Sequence, residues 1–113
     1  MHELGICDAI LKTVDSIAKK EELTAVSKVT LEVGMLSGVV PRFLTDCWQA
    51  VIDGTPYEKT ELGLEIINGI ARCEDCGEEF SADLEKLYCP KCCGQRLTPL
   101  TGTDLTIKEI EAE

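Results

Sequence analysis

The stretch Cys73-Glu74-Asp75-Cys76-Gly77-Glu78-Glu79-Phe80-Ser81-Ala82-Asp83-Leu84-Glu85-Lys86-Leu87-Tyr88-Cys89-Pro90-Lys91-Cys92 decides how this chain folds. Its two Cys-x-x-Cys pairs, twelve residues apart, match the tetrahedral four-thiolate pattern, in which each pair forms a tight turn whose backbone N–H groups can bond the sulfurs. Gly77 and Pro90 suit such turns. Phe80, Leu84, Leu87 and Tyr88 are expected to cover the metal as a very small core. The segment reads as a zinc ribbon with Cys73, Cys76, Cys89 and Cys92 as ligands. Tetrahedral thiolate sites also accept iron, so a rubredoxin-like electron carrier is the alternative. The scarcity of aromatic side chains to shield an iron site, and the length of chain outside the segment, favour zinc.

Working outward, Cys7, Ile10, Leu11, Val14, Ile17 and Ala18 form the apolar stripe of an amphipathic helix over residues 4–19. Glu3 suits its N-terminus, and Lys19 and Lys20 suit its C-terminus. From Ser27 the period changes to two, with Val29, Leu31 and Val33 alternating with Lys28, Thr30 and Glu32, which predicts a half-buried strand. Gly34 to Val40 reads as a turn. Pro41 opens a second helix carrying Leu44, Cys47, Trp48 and Val51, and Gly54 stops it. Leu62, Leu64 and Ile66 predict a second strand running to Cys73 through an irregularity at Asn68 and Gly69, and Leu105 and Ile107 predict a third. Cys7, Cys47, Met35 and Trp48 are expected to be packing residues. The expected fold class is α+β: two helices packed on a small three-stranded sheet, with an inserted zinc ribbon. Residues 1–72 with 98–113 form one expected domain and residues 73–97 the ribbon domain.

Composition narrows the function. The 113 residues hold 21 acidic and 11 basic side chains, a formal charge of −10 and only 4% aromatics. A chain this acidic is a poor nucleic-acid binder, because Lys and Arg contacts to phosphate supply most of that affinity. The 73–97 segment alone holds six carboxylates against three basic residues, and four thiolates around one divalent cation make it still more negative. No apolar run approaches a membrane span, and Met1-His2-Glu3 has no signal-peptide character, so a cytoplasmic protein is expected. Seven cysteines, an odd number with four in tight pairs, fit reduced thiols held for metal better than a disulfide framework. There is no Gly-x-x-x-x-Gly-Lys-Ser/Thr phosphate loop, no nucleophile with a histidine base and no defensible carboxylate pair, so no enzyme is expected.

His2 is the only histidine. The Met1 amine, the His2 backbone nitrogen and a His2 imidazole nitrogen can close adjacent chelate rings, and deprotonated amide nitrogens favour square-planar Ni(II) or Cu(II). Initiator-methionine removal needs a small second residue, so Met1 is expected to remain before His2.

Met1-His2-Glu3-Leu4 opening a helix, Val29-Thr30-Leu31-Glu32-Val33-Gly34 as a strand, and two cysteine pairs ahead of a final Leu105-x-Ile107 strand together resemble the HypA/HybF nickel metallochaperones of hydrogenase maturation. The resemblance covers essentially the whole chain. It implies an α/β nickel domain, with Met1 and His2 supplying nitrogen ligands to Ni(II) and Glu3 a backbone nitrogen or carboxylate beside them. It implies structural Zn(II) on the four cysteines, a GTPase partner and delivery of nickel, as cargo, to the [NiFe]-hydrogenase large-subunit precursor. Neither nucleic acid nor membrane is an implied partner, and a homodimer is left open, as is urease as receiver. Some relatives place histidines beside the cysteine pairs, and this chain has none. Cys93, directly after the second pair, stands where many relatives have a small or polar residue; it reads as a spare side chain pointing away from the metal, with a ligand in place of Cys92 or a reactive thiol as the alternatives. A zinc-ribbon adaptor protein is the remaining alternative, and it would leave Met1-His2 unexplained.

Overall fold

α1 (His2–Lys20) buries Cys7, Ile10, Val14 and Ala18, while its open face carries the ion pairs Lys12–Asp8 at 2.9 Å and Lys19–Asp15 at 2.8 Å. Exposed pairs of this kind contribute little, so the buried stripe holds the helix. The computed structural model describes residues 2–113, and of His2 only the backbone. α1 closes where Glu22 takes a left-handed conformation (φ 55°) and the Leu23 N–H reaches back to the Ala18 carbonyl at 2.9 Å.

β1 (Val26–Gly34) follows, with Val29, Leu31 and Val33 buried and the intervening residues half-buried. Pro41 opens α2 (Pro41–Ile52), whose buried face is Leu44, Trp48 and Ile52. The Asp53 N–H caps onto the Gln49 carbonyl, and Gly54 turns the chain away at φ 76°. α1 packs on α2, and Cys7 donates its thiol to the Leu44 carbonyl at 3.3 Å. The Trp48 indole donates to the Thr60 carbonyl at 3.0 Å, and the buried Thr60 hydroxyl donates to the Val26 carbonyl at 2.7 Å. The two bonds satisfy buried polar groups that would otherwise be costly.

β2 (Glu61–Ile67) and β6 (Leu105–Ala112) flank β1 in a three-stranded sheet ordered β2-β1-β6. A second three-stranded sheet, ordered β4-β3-β5, is built from β3 (Gly69–Cys73), β4 (Glu79–Ala82) and β5 (Leu97–Pro99). Both outer strands pair antiparallel to β3, with Ala71 opposite Phe80 and Pro99, and Cys73 opposite Leu97. The α+β class, the two helices and the first sheet are as expected from the pattern. The expected second strand is two strands in different sheets, broken at Asn68. The chain is tightly packed at the break: a Cβ on Gly69 would come within 2.5 Å of Leu36, and one on Gly102 within 2.7 Å of the Asn68 carbonyl oxygen. Thr101 braces the same point, accepting from the Ile70 N–H at 3.1 Å and donating to the Asn68 carbonyl at 2.9 Å.

Contacts divide the chain into two compact units, one of Met1–Leu31, Val40–Glu65 and Ile107–Glu113, the other of Glu32–Val39 and Ile66–Thr106. All four paired cysteines belong to the second. Two expected packing positions are open instead, Met35 at 42% and Ile66 at 47% exposure. Among the described residues, no helix is long and apolar enough to cross a membrane.

Candidate metal centre

Cys73 is the last residue of β3, so strand pairing places its sulfur while the chain turns away immediately afterwards. In the turn, the Gly77 N–H bonds the Cys73 carbonyl at 2.8 Å and the Cys73 N–H bonds the Glu78 carbonyl at 2.8 Å. Gly77 has φ 80°, a conformation open to glycine without a Cβ penalty. The second turn repeats the construction: the Cys93 N–H bonds the Cys89 carbonyl at 2.8 Å, and the Cys89 N–H bonds the Gly94 carbonyl at 2.9 Å. Backbone N–H groups also point at sulfur, Lys91 toward Cys89 Sγ and Gly94 toward Cys92 Sγ, each at 3.4 Å.

The four sulfurs of Cys73, Cys76, Cys89 and Cys92 lie within 4.8 Å of one another. Two close approaches run between the turns, 3.5 Å for Cys73–Cys92 and 3.6 Å for Cys76–Cys89. A tetrahedron with metal–sulfur bonds of ~2.3 Å has edges of about 3.8 Å, so the cage fits one divalent cation with soft ligands. Cys73 and Cys89 are fully buried, whereas Cys76 and Cys92 are exposed.

Thiols held this close compete for ionisation. Burial opposes charge on Cys89, but the N–H groups of Cys92 and Lys91 and the neighbouring thiols outweigh it and bring the group down to about 7. At Cys92 the Gly94 N–H favours the thiolate, yet the thiols of Cys73 and Cys76 push the group up to about 12. Cys76 is raised as well: the Glu78 backbone favours its thiolate, and burial together with Cys89 and Cys73 overcomes this. Cys89 is ready to ionise near neutral pH, and a cation must displace protons from Cys76 and Cys92.

Charged side chains brace the cage. Arg96 pairs with Asp75 in the first turn, and the Glu74 N–H bonds the Arg96 carbonyl at 2.8 Å. Glu74 is held below the usual carboxylate range by the Thr98 hydroxyl at 2.7 Å and then by Arg72 at 3.3 Å. Gly94 leaves room, since a Cβ there would lie 3.2 Å from Cys92 Sγ, 3.3 Å from Cys73 Sγ and 2.5 Å from Asp75. Sequence reading missed Arg96, Thr98 and Gly94. A glycine just after the second pair was the one available signal, because the partners of Arg96 and Thr98 are remote in the chain.

Cys93 lies outside the cluster, exposed and in a left-handed conformation (φ 62°). The expected cover over the metal is largely absent: Phe80 is half-buried, but Leu84, Leu87 and Tyr88 are 52%, 49% and 45% exposed. Cys7 is a core residue whose thiol burial, then Cys47 and Glu3, push up to about 11, and Cys47 is half-buried. The expected nickel ligands Met1 and the His2 side chain lie outside the described residues. Glu3 is half-buried in the first turn of α1.

Residues 1–112 match the family described as hydrogenase/urease nickel incorporation, metallochaperone, HypA. Similar proteins include the hydrogenase maturation factor HypA of Chlorobium luteolum, 34% identical across 97% of this chain and 94% of that protein. The Streptomyces avermitilis factor is 37% identical across 100% of this chain and 88% of its own length. The fold is shared with the solution structure of the Ni metallochaperone HypA from Helicobacter pylori, at TM-score 0.68 and 16% identity over 97% of this chain and 96% of that one. With matches of this extent and a four-cysteine cage assembled in the turns beside the second sheet, the chain belongs to the HypA family of nickel-incorporation metallochaperones.

Proposed function

We propose that this chain carries Ni(II) as cargo for hydrogenase maturation, with two metal sites of unequal chemistry. The observation that carries the reading is the whole-length family match on a chain that closes a four-thiolate cage. Cys73, Cys76, Cys89 and Cys92 hold Zn(II) as a closed, structural centre. Zinc fits better than iron because two of the sulfurs, and the side chains around them, are open to solvent. Nickel sits on the Met1 amine, the His2 amide and imidazole nitrogens and Glu3, where few ligands allow release to a receiver. The protein works in the cytoplasm without catalysing a reaction. A GTPase partner supplies nucleotide hydrolysis, and the hydrogenase large-subunit precursor takes the metal.

The test is calorimetric titration of Ni(II) into zinc-loaded protein with its native N-terminus. His2→Ala removes the imidazole, and one residue added before Met1 moves the amine out of its chelate ring. Both should abolish specific nickel binding and leave zinc in place. Binding should also weaken below about pH 6, because an imidazole near ~6.5 and an amine near ~7.7–8.0 must lose protons to coordinate. Equal affinity in all three proteins overturns the N-terminal site and favours the adaptor reading.

A further inference from the structure

The second sheet has a hollow centre. Ala71 on β3 and Ala82 on β4 are 2% and 5% exposed and form a floor where larger side chains would have filled the face. Leu36, Leu84, Leu87 and Leu97 wall it, leaving a groove of about 280 Å³, enough for one or two large aliphatic side chains. The walls that rise highest are Leu84 and Leu87, half exposed on the loop that leads into Cys89. Both stand half in solvent, so neither seals the metal cage, where backbone N–H groups bond Cys89 and Cys92. Exposed leucines around a concave apolar floor are a common feature of docking sites.

Charge identifies what the groove takes. The unit that holds it carries eight carboxylates against four basic side chains, and a cation in the four-thiolate cage leaves two further negative charges. Two of the four basic groups are engaged, Arg72 with Glu74 and Arg96 with Asp75. Asp83 and Glu85 stand on either side of Leu84, Asp104 follows the groove residue Thr103, and Lys86 before Leu87 is the one basic neighbour, so the rim remains acidic by three to one. Asp83 accepts the N–H groups of Glu85 and Lys86 at 2.8 and 3.0 Å, which fixes its carboxylate beside the leucine. A second copy of this chain, at −10, would be repelled, and so would an anionic lipid surface.

We propose that this groove docks a peptide segment of a partner protein that presents aliphatic anchor residues flanked by Lys or Arg. The aliphatic side chains fill the hollow over Ala71 and Ala82, and the flanking cations meet the acidic rim. The site is independent of where nickel binds, so it stands or falls apart from the N-terminal reading.

The test uses the full zinc-loaded chain and a fluorescent synthetic peptide with two adjacent leucines between lysine pairs. The peptide should bind, and its affinity should fall as salt rises. Leu84→Ser and Leu87→Ser, each replacing a side chain already half in solvent, should weaken binding at least about tenfold while zinc content and unfolding midpoint hold. Glu85→Lys should weaken it as well. A peptide with glutamate in place of lysine, or serine in place of leucine, should not bind. The proposal is overturned if the leucine variants bind normally or if the serine peptide binds as tightly as the leucine one. It is equally overturned if sedimentation shows a dimer that Leu84→Ser dissolves, or if phosphatidylglycerol vesicles bind in a Leu84-dependent way.

Discussion

Gly77 and Cys93 hold the same place in the two halves of the metal cage. Each donates its N–H to the carbonyl of the first cysteine of its turn at 2.8 Å, and each has positive φ, 80° and 62°. The construction calls for glycine at both places, yet the second carries a cysteine whose thiol lies outside the four-sulfur cluster. Left-handed backbone costs an L-residue about 1–2 kcal/mol, part of which the larger unfolded-state entropy of glycine offsets, by about 0.5–1 kcal/mol.

Cys93→Gly is therefore expected to stabilise the protein by about 0.5–1 kcal/mol with one zinc retained. Denaturant midpoints and metal analysis check both parts. Gly77→Ala should move the midpoint the other way. Loss of zinc in Cys93→Ser alongside retention in Cys92→Ser would mean that the two cysteines have exchanged roles.

Replacing Cys73, Cys76, Cys89 or Cys92 with alanine should lower zinc content and open residues 73–97 to proteolysis, because metal binding is part of the folding energy there. Zinc affinity should fall on acidification with more than one proton taken up per metal lost. The sign follows from competition: Cys89, near 7, starts to take up its proton around neutrality, while Cys92, near 12, binds metal only by giving one up. A pH series of chelator competition from 8 to about 5 measures the slope, and a flat profile would exclude a thiolate cage.

Gly34→Ala should be severe. A Cβ on Gly34 would overlap the Gly102 carbonyl, and the Gly34 N–H already bonds the Asp104 carbonyl at 2.9 Å. Neither backbone can retreat without breaking that pairing, so a loss of about 2 kcal/mol or more is expected in chemical denaturation. Gly38→Ala, where nothing lies within 4 Å but φ is 82°, should cost only the left-handed backbone penalty of about 1 kcal/mol and serves as the comparison.

Tyr57 donates its hydroxyl to Asp15 at 2.6 Å, and Asp15 also pairs with Lys19. Burial and then Asp15 push Tyr57 up to about 12, so the stability it contributes is present below about pH 10 and lost as pH rises toward 12. Asp15 is held below its ordinary value by Lys19 and then Tyr57, so its share is present above about pH 4 and lost on acidification. Tyr57→Phe should lower the unfolding midpoint at neutral pH and flatten its decline between about pH 10 and 12. An unchanged alkaline limb would show that the hydrogen bond has no energetic part in the fold.

Helix and strand periods were written into this sequence wherever one face of a long element is buried. The stripe Cys7-Ile10-Val14-Ala18, the alternation Val29-Leu31-Val33 and Pro41 at the head of α2 each carry the signal within a single window. The metal cage was equally legible, because tetrahedral thiolate coordination demands cysteines in tight turns at close spacing, and the four do converge within 4.8 Å.

The remaining features depend on residues far apart in the chain. β3, β4 and β5 span three to five residues each, too few for a period to show, and they exist because Cys73 pairs with Leu97 and Ala71 with Phe80. The break at Asn68 is packed against Leu36 and Gly102, which no local window contains. Apolar type misled at Leu84, Leu87 and Tyr88, which read as a cover for the metal and stand open instead. Hydrophobicity records that a side chain gains by leaving water. Only the assembled backbone determines whether there is a surface for it to leave water against.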